Sequence, residues 1–343
     1  MDKLQKTIGK SGELKWIPDG FHFLSPEKST YRRKLLDKIH KFFMKNGYLE
    51  VIPPSFDFSS SFSGHLSEME KTHLLKYKDL SGSEISPSFD LTIQVVKGMA
   101  SFSYPTETQK VFYSSRVIKD SQRKNGSKRE TFQLGAEIIG RSDYHTFIGL
   151  LEELENLFLN INFPYPITLV LGNTLVFEKI STFLNLNSTE KELFSDIVYS
   201  KNTPSLNGFF QDKEVPVDFQ NLIRSILFNF DFHNLKTDIL HISKKYDLKL
   251  ENLISETENI LSVWNEKKRA FDFCLDFSLI RDLNYYTGFV FHAYSGNISD
   301  PVFMGGAYDH LYERYSGVQK NACGFAMSMD IVEELLKNER IGV

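Results

Sequence analysis

The sequence predicts an α+β fold: one mostly antiparallel sheet flanked by helices, with a helical insertion. Three observations predict it. Two runs rich in β-formers, 109–118 and 131–140, flank a charged loop that carries the turn signal Asn125-Gly126. Residues 166–265 then read as mainly helical. From Ala270 the strand pattern returns, with Phe271, Phe273, Leu275 and Phe277 alternating against Asp272, Cys274 and Asp276. Strands, helices and strands again describe one core interrupted in sequence, with 1–165 as its first part, 166–265 as the insertion and 266–343 as its second part.

The first helix is predicted from Ser25, an N-cap, and Pro26, whose missing N–H does no harm at the first helical position. Tyr31, Leu35, Ile39, Phe42 and Phe43 recur at helical spacing, and Asn46-Gly47 ends the run. Its basic side, with Arg32, Arg33, Lys34, Lys38 and Lys41, is either a solvated face or an RNA contact. Tyr48 to Ile52 reads as a strand that Pro53-Pro54 stops. In the strand Thr131–Gly140, Phe132, Leu134, Ala136 and Ile138 face one way and Thr131, Gln133, Gly135 and Glu137 the other. A helix follows over about 143–160. A short strand is expected around Ile167–Leu171, a capping box at Thr189–Glu192 and an apolar helix over Phe219–Phe230. Tyr285–Tyr294 and Cys323–Met329 read as strands, and 330–338 as a terminal helix.

The length of 343 residues suits two domains or one large domain with an insertion. Forty Lys and Arg against 44 Asp and Glu give a net charge of -4, which excludes attachment to nucleic acid by bulk charge alone. Hydrophobic content of 41%, with 30 Phe and 15 Tyr, supports a large packed core. Cys274 and Cys323 form neither a disulfide framework nor a metal pattern. With no signal-peptide stretch and no apolar run of membrane-spanning length, a cytoplasmic protein is expected.

The common catalytic signatures are absent: no phosphate-cradling glycine loop, no His-Glu-x-x-His and no nucleophile elbow. The face carrying Gln133 and Glu137 around Gly135 stands out, because a glycine between polar groups lets something approach the backbone. It is either a ligand site or an ordinary solvated sheet face. Arg116 ends the preceding strand; pairing across the hairpin brings it onto the same face, or it forms a structural ion pair with a nearby carboxylate. Arg281, just before Tyr285-Tyr286, has the same two readings. An acid, two arginines, a glutamine and two tyrosines suit a zwitterionic amino acid, with carboxylate oxygens on its ammonium and an arginine fork on its carboxylate.

Several segments resemble the catalytic core of histidyl-tRNA synthetase and of its non-catalytic paralogue, the ATP phosphoribosyltransferase regulatory subunit. Ile17–Phe21, the first helix and Gly47–Pro54 look like the opening and first motif of this class II synthetase core, which in the family builds a homodimer interface. Asp90-Leu91-Thr92-Ile93-Gln94 is similar to the regulatory subunit's Asp-Met-Thr-Pro-Gln, where the synthetases usually have Glu in place of that Asp. Arg129–Gly140 resembles the second motif, Tyr285–Phe291 the histidine-pocket strand, and Gly305–Asp309 and Gly324–Met327 the final segments. The resemblance implies that Asp90 and Thr92 hold a substrate ammonium. It implies that Gln133, Glu137, Tyr285 and Tyr286 form the rest of a histidine pocket, with Arg281 near the histidine carboxylate. It gives Arg116 to the ATP α-phosphate, as a vestige.

The departures from the synthetase pattern point away from catalysis. Ile118 stands where a glutamate helps to hold adenine, Ala307 where Gly-Gly-Arg-Tyr-Asp has arginine, and Ile331 where the third motif's arginine clamps the ATP phosphates; here that motif reads Ser328-Met329-Asp330-Ile331. Losing one preorganised donor typically lowers rate by about 10²–10³. With the sequence stopping at Val343, no anticodon-binding domain is expected. The resemblance therefore implies a non-catalytic subunit without metal or cofactor. It would partner the short-form ATP phosphoribosyltransferase catalytic subunit in a hetero-octamer, with histidine as effector, in the first step of histidine biosynthesis. A membrane and tRNA are not expected partners. The other reading, from the synthetase side of the resemblance, is a truncated ligase that still activates histidine with ATP; a third is a paralogue serving another partner through the same dimer core.

Overall fold

The computed structural model describes residues 7–8, 14–15, 17–102, 107–120, 128–266, 269–280 and 285–338. Strands β1 (Thr7–Ile8) and β2 (Leu14–Lys15) pair with each other. Helix α1 (Pro26–Lys45) leads to the two-residue strand β3 (Leu49–Glu50). A small sheet of β4 (Phe56–Phe58), β5 (Tyr77–Lys78) and β6 (Glu84–Pro87) carries the short helices α2 (Ser59–Ser63) and α3 (Glu68–Lys71). Helix α4 (Leu91–Ser101), the hairpin β7 (Gln109–Ile118) and β8 (Glu130–Ile139), helix α5 (Tyr144–Asn160) and strand β9 (Ile167–Asn173) follow.

Six helices come next: α6 (Thr174–Phe183), α7 (Ser188–Tyr199), α8 (Thr203–Asp212), α9 (Val217–Phe228), α10 (Phe232–Tyr246) and α11 (Glu251–Glu266). The chain then forms β10 (Phe271–Leu275), β11 (Phe289–Ser295), β12 (Phe303–Ala307), helix α12 (Leu311–Ser316), β13 (Ala322–Ser328) and helix α13 (Met329–Asn338).

Among the described residues the main sheet has the order β10-β9-β11-β12-β13-β8-β7-β3. Its interior pairings are antiparallel, and parallel pairs stand at the two edges, β10 on β9 and β3 on β7. This is the mixed α+β architecture that the strand–helix–strand pattern predicts. The two faces follow from the alternation. Leu134, Ala136 and Ile138 of β8, with Phe325 and Met327 of β13 and Phe289 and Phe291 of β11, pack into the main core beneath α1, α5 and α13. On the other face, Val111, Tyr113, Val117 and Ile139 pack with Ile93, Val96 and Met99 of α4. Both faces are covered, so the face of Gln133 and Glu137 is no solvated sheet surface.

The insertion follows from the pairing of its flanks. Strand β10 lies parallel to β9 with Phe271 opposite Ile167, so the chain leaves the sheet at Asn173 and returns beside the strand it left. The helices begin at Thr174, because Ile167–Asn173 is a strand of the main sheet. They bury a second core around Phe194, Phe219, Leu222, Leu235 and Leu250. Helix α11 ties it to the sheet, placing Ile260 and Trp264 in the main core.

Local signals held in most places. Ser25 caps α1, accepting the Lys28 N–H at 3.3 Å, and Gly47 takes a left-handed φ of 81° where the helix ends. Three expectations are corrected. The capping box lies at Asn187 and Glu190, not at Thr189–Glu192: Asn187 Oδ1 accepts from the Glu190 N–H and Glu190 Oε2 from the Asn187 N–H, both at 3.0 Å. The strand expected over Tyr48–Ile52 shrinks to Leu49–Glu50, which pair with Val111 and Phe112 of β7; the Val51 N–H makes the last contact, with Phe112 O at 2.9 Å, before Pro53-Pro54. The strand expected from Tyr285 begins at Phe289, because Tyr285 and Tyr286 belong to the wall of a cavity instead of to the ladder.

Candidate functional site

The sheet register assembles the site. Across β7, β8, β13 and β12, Val111 lies opposite Glu137, Glu137 opposite Gly324, and Gly324 opposite Gly306, so these positions share one face. Over them lie the N-terminus of α4 and the segment Tyr285-Tyr286. The cavity between is lined by Asp90, Thr92, Lys119, Gln133, Glu137, Tyr285, Tyr286 and Tyr308, with Gly324 and Ser328 on its floor. It offers about 100 Å³ to the centres of water-sized molecules. One water needs about 10–15 Å³ on that measure, so the space suits a small solute.

Glu137 is the buried centre of the site, with no exposed surface. Its Oε1 accepts the Tyr113 hydroxyl at 2.8 Å, and its Oε2 accepts the Tyr308 hydroxyl. Tyr113 also meets Thr92 Oγ1 at 3.1 Å. Burial lifts the Glu137 carboxyl to about 8, outweighing the tyrosine hydroxyls, which favour the charged form. Burial likewise pushes the Tyr113, Tyr285 and Tyr308 hydroxyls well above the usual phenol range.

Glycines make this packing possible. A Cβ on Gly324 would fall on the Glu137 carboxylate, and one on Gly135 on the Tyr113 hydroxyl. What approaches Gly135 is therefore the protein's own Tyr113. Gly306 gives the ring of Tyr286 its place, since a Cβ there would come within 2.9 Å of that ring.

Asp90 forms the second acid. It caps α4, its Oδ1 accepting the Ile93 N–H at 2.9 Å, while its Oδ2 stands 3.4 Å from the Tyr285 hydroxyl. Burial raises its carboxyl, opposed by the Ile93 N–H and by the charge of Lys119.

Of the residues expected at the site, Asp90, Thr92, Gln133, Glu137, Tyr285 and Tyr286 converge on the cavity, and Arg281 lies outside the described residues. Arg116 does not converge. It pairs across the hairpin with Phe132, the neighbour of Gln133, and so projects from the opposite face. Its guanidinium is 3.6 Å from Glu130, the structural ion pair that was its other reading. The cation on the cavity side of this strand end is Lys119, which the sequence reading missed along with Tyr113 and Tyr308. Tyr308 sits in the Gly305–Asp309 segment already singled out; nothing local marks Tyr113.

The degenerate positions also have definite surroundings. Ala307 is buried in the main core on the far face of the sheet. Ile331 packs against the same core and does not line the cavity. Ile118 pairs with Glu130, and its N–H donates to Ser88 O at 2.8 Å. Next to Ile331, Asp330 accepts the Phe132 N–H at 3.1 Å and Arg32 at 2.6 Å, joining α13 to the hairpin and to α1.

Comparison with known proteins comes to one place. A family model of histidyl-tRNA synthetase matches residues 20–332. An ATP phosphoribosyltransferase regulatory subunit from Leptospira interrogans is 44% identical over 336 residues, covering 97% of this chain and 98% of its own length. One from Caldanaerobacter subterraneus is 26% identical over 332 residues, covering 95% of this chain and 84% of its own. A crystal structure of an ATP phosphoribosyltransferase regulatory subunit/histidyl-tRNA synthetase from Bacillus halodurans superposes with a TM-score of 0.75 at 19% identity, covering 93% of this chain and 83% of that one. At that identity the likeness speaks for the fold alone.

Proposed function

The chain belongs to the family of ATP phosphoribosyltransferase regulatory subunits, on the histidyl-tRNA synthetase core, and from that membership we propose that it joins a separate short-form catalytic subunit and binds histidine in this cavity as feedback effector. The observation that carries the effector reading is the lining: two carboxylates and three tyrosines, with Lys119 the one lysine or arginine among the described lining residues. Acids and hydroxyls suit the ammonium and imidazole of histidine, whereas a triphosphate demands several cations. With Ile331 turned into the core, the described residues offer no clamp for ATP.

The test is to mix the chain with such a catalytic subunit and follow phosphoribosyl-ATP formation with and without histidine. Co-elution, stimulated activity and suppression by histidine are expected, with a coupling of about 5- to 150-fold. Glu137→Ala and Tyr285→Ala should each weaken histidine binding in calorimetry. Unchanged affinity in both variants rejects this pocket, and robust histidine-dependent exchange of pyrophosphate into ATP by the chain alone rejects the regulatory reading.

Self-association belongs to the same proposal. Strand β3 is an edge of the main sheet, and beside it Leu49 is 63% and Ile52 84% exposed. Phe56 and Phe58 are also exposed nearby. An unpaired edge with such side chains favours a second copy of the chain. Ile52→Asp is expected to halve the mass measured by light scattering; an unaltered mass argues against this interface. No helix among the described residues is long and apolar enough to cross a membrane, and the proposed site of action is the cytoplasm.

A further inference from the structure

Glu137 is buried without a counter-charge. It has no exposed surface, and among the described residues its carboxylate bonds only to hydroxyls, that of Tyr113 at 2.8 Å and that of Tyr308. Helix α4 brings Thr92 and Asp90 to the cavity, and β7 brings Tyr113 and, just past its end, Lys119. Tyr308 follows β12, Tyr285 and Tyr286 close the wall, and β13 places Gly324 against the carboxylate. Next to Gly324, the Cys323 thiol is pushed up by burial and stays neutral. Asp90 is an acid and opposes a second negative charge, while the charge of Lys119 acts on Asp90. A lone buried charge is costly, and such a group takes up a proton instead. Burial moves the Glu137 carboxyl in that direction, to about 8.

We propose that Glu137 keeps a proton while the cavity is empty and passes it to the imidazole of the bound histidine, which is then held as imidazolium. This rests on the reading that the cavity binds histidine, and it adds the charge state of both partners. The Glu137 O–H bond breaks, an N–H bond forms on the ring, and no third reactant takes part. The ligand thereby supplies the cation that the protein leaves out, and the hydroxyls of Tyr113 and Tyr308 support the carboxylate that remains. The same step selects the side chain. Imidazole, with an ordinary value of about 6.5, arrives neutral above that pH and accepts a proton beside an acid. A lysine or arginine side chain arrives already charged, so Glu137 has to lose its proton to water first. A phenyl ring accepts none.

The probe is histidine labelled with ¹⁵N in its ring, bound to the full chain and read by nitrogen NMR. At about pH 8 only about 3% of free histidine carries a protonated ring, yet the bound ring is expected to show a proton on both nitrogens. Titration calorimetry in two buffers of unlike ionisation heat should find no net proton exchanged near pH 7, because the proton only moves from Glu137 to the ring. At about pH 5.5 both partners start protonated, and about one proton should be released per histidine bound. Glu137→Gln, which has no proton to give, should bind a neutral ring and weaken histidine by about 10- to 100-fold. A neutral ring on the natural protein at about pH 8, or about one proton released near pH 7, overturns the transfer and leaves the pocket standing. An imidazolium that persists in Glu137→Gln overturns it too. If the natural protein binds no histidine at all, the pocket reading itself falls.

Discussion

Glu137→Gln is expected to stabilise the chain progressively as the pH rises from 5 to 9. The Glu137 carboxyl is raised from 4.5 to about 8 by burial, while in the unfolded chain it titrates near its ordinary value. Below pH 4.5 it is protonated in both states. Between pH 4.5 and 8 the folded chain keeps the proton that the unfolded chain releases, so folding loses about 1.4 kcal/mol per pH unit. Above pH 8 the loss is complete, about 5 kcal/mol in all by the same linkage. Glutamine cannot ionise and nearly preserves the shape of the protonated acid. The difference in urea stability between variant and natural protein should therefore grow by several kcal/mol over this range. A difference that stays flat with pH would show that Glu137 is ionised throughout, held by Tyr113 and Tyr308 alone.

Arg32→Met should cost the fold about 3–5 kcal/mol, because it leaves the buried Glu333 carboxylate without its cation and Asp330 with Lys128 alone, 3.7 Å away. Arg32 is 8% exposed, with Nε 2.6 Å from Glu333 Oε1 and Nη2 2.6 Å from Asp330 Oδ1. Its guanidinium also lies 5.2 Å from the ring centre of Phe132. Lysine should not rescue it, since one ammonium cannot replace a fork that reaches both acids. Replacing all three charges, Arg32→Met with Asp330→Asn and Glu333→Gln, should recover much of the loss, because no charge is then left buried without a partner. Urea unfolding midpoints decide it: a single substitution as mild as the triple one would mean that water reaches these acids. The network matters beyond stability. Asp330 touches the hairpin backbone at Phe132, next to Gln133 in the cavity, and also α1, so it links the pocket to the helix that leads into β3.

Most elements were legible because their signals are local. Ser25-Pro26 and Asn46-Gly47 bounded α1, and the alternation in Thr131–Gly140 separated Leu134, Ala136 and Ile138 from Gln133, Gly135 and Glu137. The capping box was misplaced by two residues because Asn187–Glu190 and Thr189–Glu192 have the same spacing, and only the entry of the chain chooses between them. Tyr285 and Tyr286 look like strand residues by type, yet their rings are claimed by the cavity. The motif residues around Asp90, Glu137 and Tyr285 identified a pocket before any geometry was known. They did not reveal Tyr113.

Periodicity, caps and motifs were enough to predict the α+β core, its helical interruption and the acids and tyrosines that line one cavity. Packing alone settled which cation belongs to that pocket. Alternation orders the side chains within one strand, but it says nothing about how two strands slide past each other. The register of Arg116 on Phe132 turned that arginine outward and Lys119 inward, and this register is set by the contacts of the whole sheet on both of its covered faces.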